Sequence, residues 1–259
     1  MGRLPRWLTV IAVVAAAFAV LPLLGLASRA NWAQLPSQLA SPSSLTALGL
    51  SLRTAAAATA LCVIFGVPLG FALASLKGVS RAVLRAILLA PLVLPPVVSG
   101  LGLLYAFGRK GLLGGTLDAA GIPVAFTTAA VVLAQAFVAM PFMVVSVEAA
   151  LAARDGRLEA IAATLGAGRS RILRVITLPG IGVAAAMGAV LAFARSLGEF
   201  GATLTFAGSL EGVTRTAPLQ IYLARESDPQ AAVALGLVLV ALAILIVAAA
   251  ARPGRRVIP

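Results

Sequence analysis

The chain has 259 residues, of which 61% are hydrophobic and only 11% are charged. A soluble domain usually carries about 25% charged residues, so this composition predicts an integral membrane protein with several transmembrane helices. Histidine is absent and the single cysteine, Cys62, lies in an apolar run, which excludes a histidine base, an internal disulfide and a cysteine metal cluster. The net charge of +12 would suit a nucleic-acid partner, but the arginines stand at the ends of apolar runs and indicate membrane topology instead.

Six apolar stretches are long enough to cross a bilayer, whose hydrocarbon core of about 30 Å needs roughly 20 residues of helix. They occupy about 7–28, 54–75, 86–107, 126–147, 178–198 and 230–251. The first stretch resembles a signal peptide, but its apolar core is too long and no good cleavage site follows it, so we expect it to be retained. The sequence therefore predicts an all-α membrane protein with one transmembrane domain over residues 1–259.

Six crossings would place both termini on the same side of the membrane. Thirteen of the 20 lysines and arginines then lie on that side, and seven lie on the other. Because the side richer in lysine and arginine faces the cytoplasm, both termini are predicted to be cytoplasmic.

The third predicted span contains the sequence APLVLPPVVSG, with Pro95 and Pro96 side by side. Proline removes backbone hydrogen bonds, and within lipid the freed groups must be satisfied by neighbouring helices or by water. We expect a kink here that lines a cavity, and the alternative is ordinary tight helix packing.

A compact polar insert, residues 154–168, separates the fourth and fifth predicted spans. Its apolar residues recur at the spacing of one helix face: Leu158, Ile161, Ala162 and Leu165. The pattern predicts an amphipathic helix, and Gly166 and Gly168 permit the positive φ that ends a helix. Such a helix can lie on lipid with its arginines at the head groups. The stripe is short and lacks aromatic residues, which favours docking in a protein groove.

The segment from Gly166 to Pro179 has glycine, nine residues and then Ile-Thr-Leu-Pro. It resembles the cytoplasmic signature of ABC importer membrane subunits, in which Glu-Ala-Ala stands three residues before that glycine. Here positions 160–162 read Ala-Ile-Ala, and the acid is one place early at Glu159. A second Glu-Ala-Ala at 148–150 has no glycine at the required offset, so we interpret it as unrelated to the signature.

This resemblance implies a type I ABC importer permease-like fold, in which the insert is a coupling helix that docks on a separate ATPase subunit. The coupling residues that it implies are Glu159, Ala162, Ala163, Leu165, Gly166, Ala167 and Arg169. No Gly-rich phosphate loop ending in Gly-Lys-Ser/Thr is present, so the chain should not bind ATP. We expect it not to be an enzyme and to hold neither catalytic residues, cofactor nor metal, while two ATPase subunits bind ATP and Mg²⁺.

Residues 193–227 carry a second resemblance, to the molybdate permeases. Arg-x-Leu-Gly-Glu-Phe-Gly-Ala-Thr runs from Arg195 to Thr203, Thr-x-Pro-Leu-x-Ile-Tyr runs from Thr216 to Tyr222, and residues 89–114 are also similar. The resemblance implies a molybdate permease of a bacterial or archaeal cytoplasmic membrane, acting as a homodimer with an external binding protein and no nucleic acid. The alternatives are tungstate, sulfate or thiosulfate as cargo, or a stand-alone secondary anion transporter, although acids are few in the spans and no inverted repeat is visible.

Arg195 and Glu199 are one helical turn apart and can form an ion pair. Charges within a span are costly and usually mark a pathway or an interhelical pair. At 1.5 Å per residue, Glu199 would lie about 30 Å along the fifth helix from Pro179, near the outer mouth. The predicted gate consists of Arg195, Glu199, Phe200, Thr203, Pro95 and Pro96, and a purely structural ion pair is the alternative. Four basic residues are expected to attract an anion or an acidic partner to the mouth: Arg109, Lys110, Arg215 and Arg225.

Overall fold

Long apolar segments of the chain fold into helices, because a helix satisfies every backbone polar group within its own segment, as a bilayer requires. A computed structural model describes residues 5–250, and no β-strand occurs among them. The α-helices are α1 (Arg6–Ser28), α2 (Leu35–Leu39), α3 (Pro42–Ser75), α4 (Gly78–Val93), α5 (Pro96–Phe107), α6 (Gly114–Ala119), α7 (Thr128–Ala152), α8 (Arg157–Thr164), α9 (Arg169–Ile172), α10 (Leu178–Leu197), α11 (Gly201–Ala207), α12 (Ala217–Ser227) and α13 (Pro229–Ala250). A π-helical turn, Leu173–Thr177, joins α9 to α10.

Five helices of the described chain are long and apolar enough to cross a membrane, with α9, the π-helical turn and α10 forming one of them. They correspond to the first, second, fourth, fifth and sixth predicted spans. Two begin well before the predicted positions, since α3 begins at Pro42 and the fifth crossing begins at Arg169. The all-α membrane fold expected from composition is confirmed.

The third predicted span, 86–107, is not one straight helix. It is divided between α4 and α5, whose axes are bent by 117°. Pro95 and Pro96 lie at the bend, and a proline disfavours helical geometry in the residue before it. Leu94 accordingly has extended backbone angles, φ −62° and ψ 134°. We call this bend at residues 94–96 the elbow.

The contacts of α4 and α5 show where the bent pair runs. Arg81 of α4 is 2.8 Å from the carboxylate of Glu148, near the last turn of α7. Leu103 of α5 packs in one buried cluster with Val131, near the first turn of α7. The pair therefore connects the two ends of α7 and behaves as one broken crossing.

The main core lies between α3, α7 and α10. Cys62 is buried there with its Sγ 3.6 Å from the carbonyl oxygen of Ala136, consistent with a packing role. Two glycines one turn apart bring α3 against α7: a Cβ on Gly66 would lie 2.7 Å from Met143 Cγ, and one on Gly70 would lie 2.7 Å from Val147 Cβ. Small residues at this spacing allow the close backbone approach that stabilises helix pairs in lipid.

Smaller groups of helices surround this core. α5 and α11 pack on the first half of α7, and α12 and α13 pack on each other, with α2 and α1 against α13. No residue of α1 is buried within the chain, and Phe18 at its centre is 77% exposed. Apolar surface of this kind needs a bilayer or another subunit to cover it.

The bundle has two distinct ends. We call the end that carries residues 153–168 the insert end, and the end that carries 108–127 and 208–216 the loop end. At the loop end, the backbone N–H of Ala217 donates to Ser51 Oγ (2.7 Å), and Thr128 Oγ1 donates to the carbonyl of Val213 (2.8 Å). The two chain ends, which the sequence predicts to be cytoplasmic, include residues 1–4 and 251–259, which lie outside the described residues.

Candidate coupling and gate segments

The polar insert contains a helix of 8 residues, α8, which is shorter than the predicted 154–168. Gly156, with φ 69°, precedes it, and Gly166, with φ 82°, follows it. The N–H of Gly166 donates to the carbonyl of Ala163 and that of Ala167 donates to Ala162, both at 3.0 Å. This is the Schellman arrangement, which needs a left-handed residue and therefore favours glycine. The two glycines thus set the length of α8.

The apolar stripe of α8 points away from the bundle. Leu158, Ile161 and Leu165 are 62%, 56% and 82% exposed, and no part of residues 5–250 covers them. Ala162, the fourth residue of the predicted stripe, is half-buried, as is Glu159. The spacing therefore predicted three of the four stripe residues, and the structure adds the direction in which the stripe faces.

Glu159 joins the insert to the start of the fifth crossing. Its Oε1 accepts hydrogen bonds from Arg154 Nη2 (2.7 Å) and from Thr177 Oγ1 (3.2 Å). The hydrogen bond from Arg154 holds the pKa of Glu159 below its ordinary value of 4.5, and the bond from Thr177 acts in the same direction. The guanidinium of Arg154 occupies the space beside Gly180, because this residue has no side chain and a Cβ there would overlap Nη1. We call Arg154, Glu159, Thr177 and Gly180 the insert clamp.

The other predicted coupling residues lie around the end of α8. Ala163, Leu165, Gly166 and Arg169 are exposed there, and Ala167 is half-buried. Sequence reasoning missed Arg154, Thr177 and Gly180 as members of the clamp. No local spacing signals them, since Thr177 is 18 residues from Glu159 and meets it only through the fold.

Glu199 lies in a break between two helices. α10 ends at Leu197 and α11 begins at Gly201. The side chain of Glu199 is only 2% exposed, with Oε2 2.7 Å from Arg195 Nη1 and Oε1 accepting from the N–H of Ala202 at 2.9 Å. The ion pair expected from the spacing is present, and each carboxylate oxygen has a partner within the chain.

The break at 198–200 lies against the elbow. A Cβ on Gly201 would be 2.6 Å from Pro96 Cβ. Beyond the break, α11 continues to Phe206, whose carbonyl accepts from the N–H of Phe126 (3.4 Å) at the loop end. The seven residues of α11 therefore place about 10 Å of helix between Glu199 and the loop end.

The remaining gate residues lie in different surroundings. Phe200 packs on Tyr222 with ring centroids 5.1 Å apart, and both line a cavity of about 680 Å³ between α10, α12 and α13. Thr203 is fully buried, and its hydroxyl has no hydrogen-bond partner among residues 5–250. Pro95 and Pro96 are exposed at the elbow. The structure therefore places Phe200 and Pro96 beside the break and Thr203 inside the bundle.

The four basic residues expected at the mouth are mostly paired with acidic residues of the chain. Three have an acidic neighbour, in the pairs Arg109–Asp118 (3.6 Å), Arg215–Glu211 (3.1 Å) and Arg225–Glu226 (3.0 Å). Lys110 forms no ion pair within the described part of the chain. The loop end is thus a mixed surface and not a uniformly basic rim.

Glu148 forms a contact between helices that the sequence did not predict. It is 4% exposed, and its Oε1 lies 2.8 Å from Arg81 Nη2 and 3.7 Å from Arg85 Nη1. The available signal was a lone acid near the end of the fourth predicted span and two arginines one turn apart at the start of the third.

Known proteins resemble the chain over most of its length. The sequence profile of a family described as "Binding-protein-dependent transport system inner membrane component" matches residues 66–258. The chain belongs to this family. A relative from Mycobacterium tuberculosis, named "Molybdenum transport system permease protein ModB", is 54% identical over 244 residues, which is 94% of this chain and 92% of the relative.

A second relative and a solved structure also resemble the chain. An Escherichia coli protein with the same name is 44% identical over 174 residues, or 67% of this chain and 76% of that protein. A crystal structure of a bacterial alginate ABC transporter in complex with an alginate pentasaccharide-bound periplasmic protein superposes with a TM-score of 0.68 at 19% identity, covering 96% of this chain and 94% of that one. The fold of this family member is therefore that of an ABC importer permease.

Proposed function

We propose that this chain is the membrane permease of an ATP-driven importer of molybdate. The observation that carries the proposal is the 54% identity over 94% of the chain with a protein named as a molybdenum transport permease. The pattern from Arg195 to Thr203, which resembles that of molybdate permeases, includes the ion pair at the break. The chain supplies the path for the anion, and two copies of a separate ATPase bind ATP and Mg²⁺.

The insert is the point at which the ATPase acts on the permease. Leu158, Ile161 and Leu165 form an exposed apolar stripe on an otherwise polar segment, and burying it in a groove would remove that surface from water. A lipid-lying helix is the alternative, but the stripe has no aromatic anchor and ends at a compact glycine turn. The insert clamp then transmits a displacement of α8 to α10, because Glu159 bonds to Thr177 directly before that helix.

The elbow and the break form the moving part of the path. Two discontinuous crossings meet there, at Pro96 and Gly201, and broken helices within a membrane are tolerated where they line a cavity or lie buried in protein. Arg195 and Glu199 hold the end of α10 to the start of α11. A shift of α10 therefore moves the break against the elbow, and the path opens between this chain and a second copy.

The orientation of the bundle follows from its charges. The insert end faces the cytoplasm with both termini, because it carries more lysines and arginines, and the loop end faces outward. The loop end then meets an external binding protein that delivers molybdate. The alginate transporter of the same fold has been crystallised with such a periplasmic protein.

The decisive experiment is uptake by proteoliposomes that contain the permease, its ATPase and an external molybdate-binding protein. We expect molybdate uptake that requires both ATP and the binding protein, with tungstate and sulfate added as competitors. Uptake without ATP would identify a secondary anion transporter. Transport of sulfate but not of molybdate would show that the proposed cargo is wrong.

Two glycine variants test the coupling role in the same assay. Gly166→Ala forces a left-handed residue to carry a Cβ, which costs about 1 to 2 kcal/mol and should unwind the turn after α8. We expect at least a fivefold loss of uptake and weaker ATPase binding. Gly168→Ala is the matched control, since Gly168 has φ −68° and open space around it. Removal of residues 157–167 should abolish uptake, and full uptake by that deletion would contradict the proposal.

A further inference from the structure

Among the ion pairs between different helices of the described chain, the pair of Glu148 with Arg81 has the most buried carboxylate. None of the predicted coupling residues takes part in it. Glu148 lies four residues before the end of α7, and α8 begins five residues after that end. Its carboxylate is 5% exposed and is held by Arg81 at 2.8 Å, with Arg85 at 3.7 Å. A carboxylate removed from water without a cationic partner is strongly destabilised, so the contact with α4 should persist when α7 moves.

The helix that receives this contact is otherwise loosely attached. Of the sixteen residues of α4, only Pro91 is buried. Arg81 and Arg85 face α7 from neighbouring turns of α4, with side chains 40% and 50% exposed. The ion pair is therefore the main polar tie between the first leg of the bent crossing and α7.

The far end of α4 leads directly to the elbow. Pro96, just beyond α4, contacts Gly201, and Gly201 adjoins the ion-paired Glu199 at the break. A displacement of α7 that carried α4 with it would therefore reach the break from the elbow side. The insert clamp reaches the same break along α10 and uses none of these residues.

We propose that Glu148 and Arg81 are positioning residues that make α4 follow α7, so that motion of the insert reaches the elbow by a second route. The inference rests on the proposed transport function, because it concerns how that function is driven. The insert clamp would move α10, and the Glu148–Arg81 pair would move the elbow. Both movements are needed for the path to open when ATP is used.

The test measures molybdate uptake and ATP hydrolysis together, in proteoliposomes containing the full transporter and its binding protein. Glu148→Gln and Arg81→Gln should each lower the molybdate imported per ATP hydrolysed about tenfold, while hydrolysis stays within twofold of the wild type. Arg85→Gln removes the longer contact and should lower the ratio by less than threefold. Arg81→Lys keeps the positive charge at this position and should retain most of the ratio.

Two results would overturn this inference. The first is an unchanged ratio in both Glu148→Gln and Arg81→Gln. The second is a parallel loss of assembly, hydrolysis and uptake, which is what a purely structural ion pair produces. Arg81→Gln keeps the test usable if Glu148→Gln fails to assemble, because Arg81 is partly exposed. A wild-type complex that hydrolyses ATP without importing molybdate would refute the proposed function itself, and that result is separate from any variant.

Discussion

Two ion pairs of this chain share the same sequence spacing but have very different surroundings. Arg195–Glu199 and Arg215–Glu211 both join residues four apart, at 2.7 Å and 3.1 Å. The Glu199 side chain is 2% exposed, whereas that of Glu211 is 58% exposed. An exposed pair contributes little because water and salt screen it, while a buried carboxylate depends on its partners.

Glu199→Gln should therefore lower the stability of the fold, and Glu211→Gln should change it little. The glutamine can still accept from the N–H of Ala202, but it leaves the Arg195 charge without a counterion. We expect a loss of stability of up to about 3 kcal/mol, at the lower end for a broken buried pair because Arg195 is partly exposed. The checks are the thermal unfolding midpoint in detergent and molybdate uptake. Unchanged uptake by a stably assembled Glu199→Gln transporter would remove Glu199 from the gate.

Glu159 gives a prediction about pH. Its pKa is lowered in the folded chain, so it stabilises the fold fully above its unfolded value, near 4.5, and this contribution disappears as the pH falls through the lowered pKa. Wild type should exceed Glu159→Gln in unfolding midpoint at pH 7, and the difference should vanish in strong acid. The exposed Glu226→Gln serves as control, with little difference at either pH. A gap between wild type and Glu159→Gln that persists in strong acid would contradict this account.

At the scale of elements, the ends of helices carry most of the proposed mechanism. α8 takes its length from two left-handed glycines, and α10 and α11 are separate helices because the chain breaks at 198–200. α4 and α5 are separate because two prolines interrupt them. Each of these breaks adjoins a predicted coupling or gate residue. A permease that moves by shifting rigid helices would bend at such positions.

Gly180→Ala tests whether the insert clamp transmits force between α8 and α10. The new Cβ would occupy the position of the Arg154 guanidinium and separate it from Glu159. We expect molybdate uptake to fall about fivefold, with ATP hydrolysis partly retained. Gly182→Ala lies two residues further along the same helix in open space and should behave as wild type. Equal uptake by the two variants would show that the clamp is only a local contact.

The whole molecule is a bundle with two chemically different ends and an apolar surface that the chain does not cover. No residue of α1 is buried, and large apolar residues on other helices are exposed as well. A bilayer covers such a surface, and the fold of the family is that of a membrane permease. The insert end and the loop end must then lie on opposite sides, because α7 joins them directly.

Site-directed labelling tests the proposed orientation. In a Cys62→Ala background, Leu112→Cys places a thiol at the loop end, and Arg157→Cys places one at the insert end. Both native side chains are highly exposed. In intact cells, a maleimide that cannot cross the membrane should label position 112 only, and position 157 should react after permeabilisation. The reverse pattern would contradict the orientation taken from the positive charges.

The sequence alone determined the long apolar helices, the position of the insert and three residues of its apolar stripe. These properties depend on local composition and on spacing along a single helix, as with Leu158, Ile161 and Leu165. The pairing of Arg195 with Glu199 also follows from spacing, since one helical turn brings them together. The family resemblance required only residues that are contiguous in the chain.

Only the tertiary structure decided which breaks and charges meet. Gly201 against Pro96, Glu159 with Thr177 and Glu148 with Arg81 join residues from different helices, and no periodicity in one helix specifies its neighbour. Contacts between helices depend on how the whole bundle packs, because small residues and shape select the partner of each face.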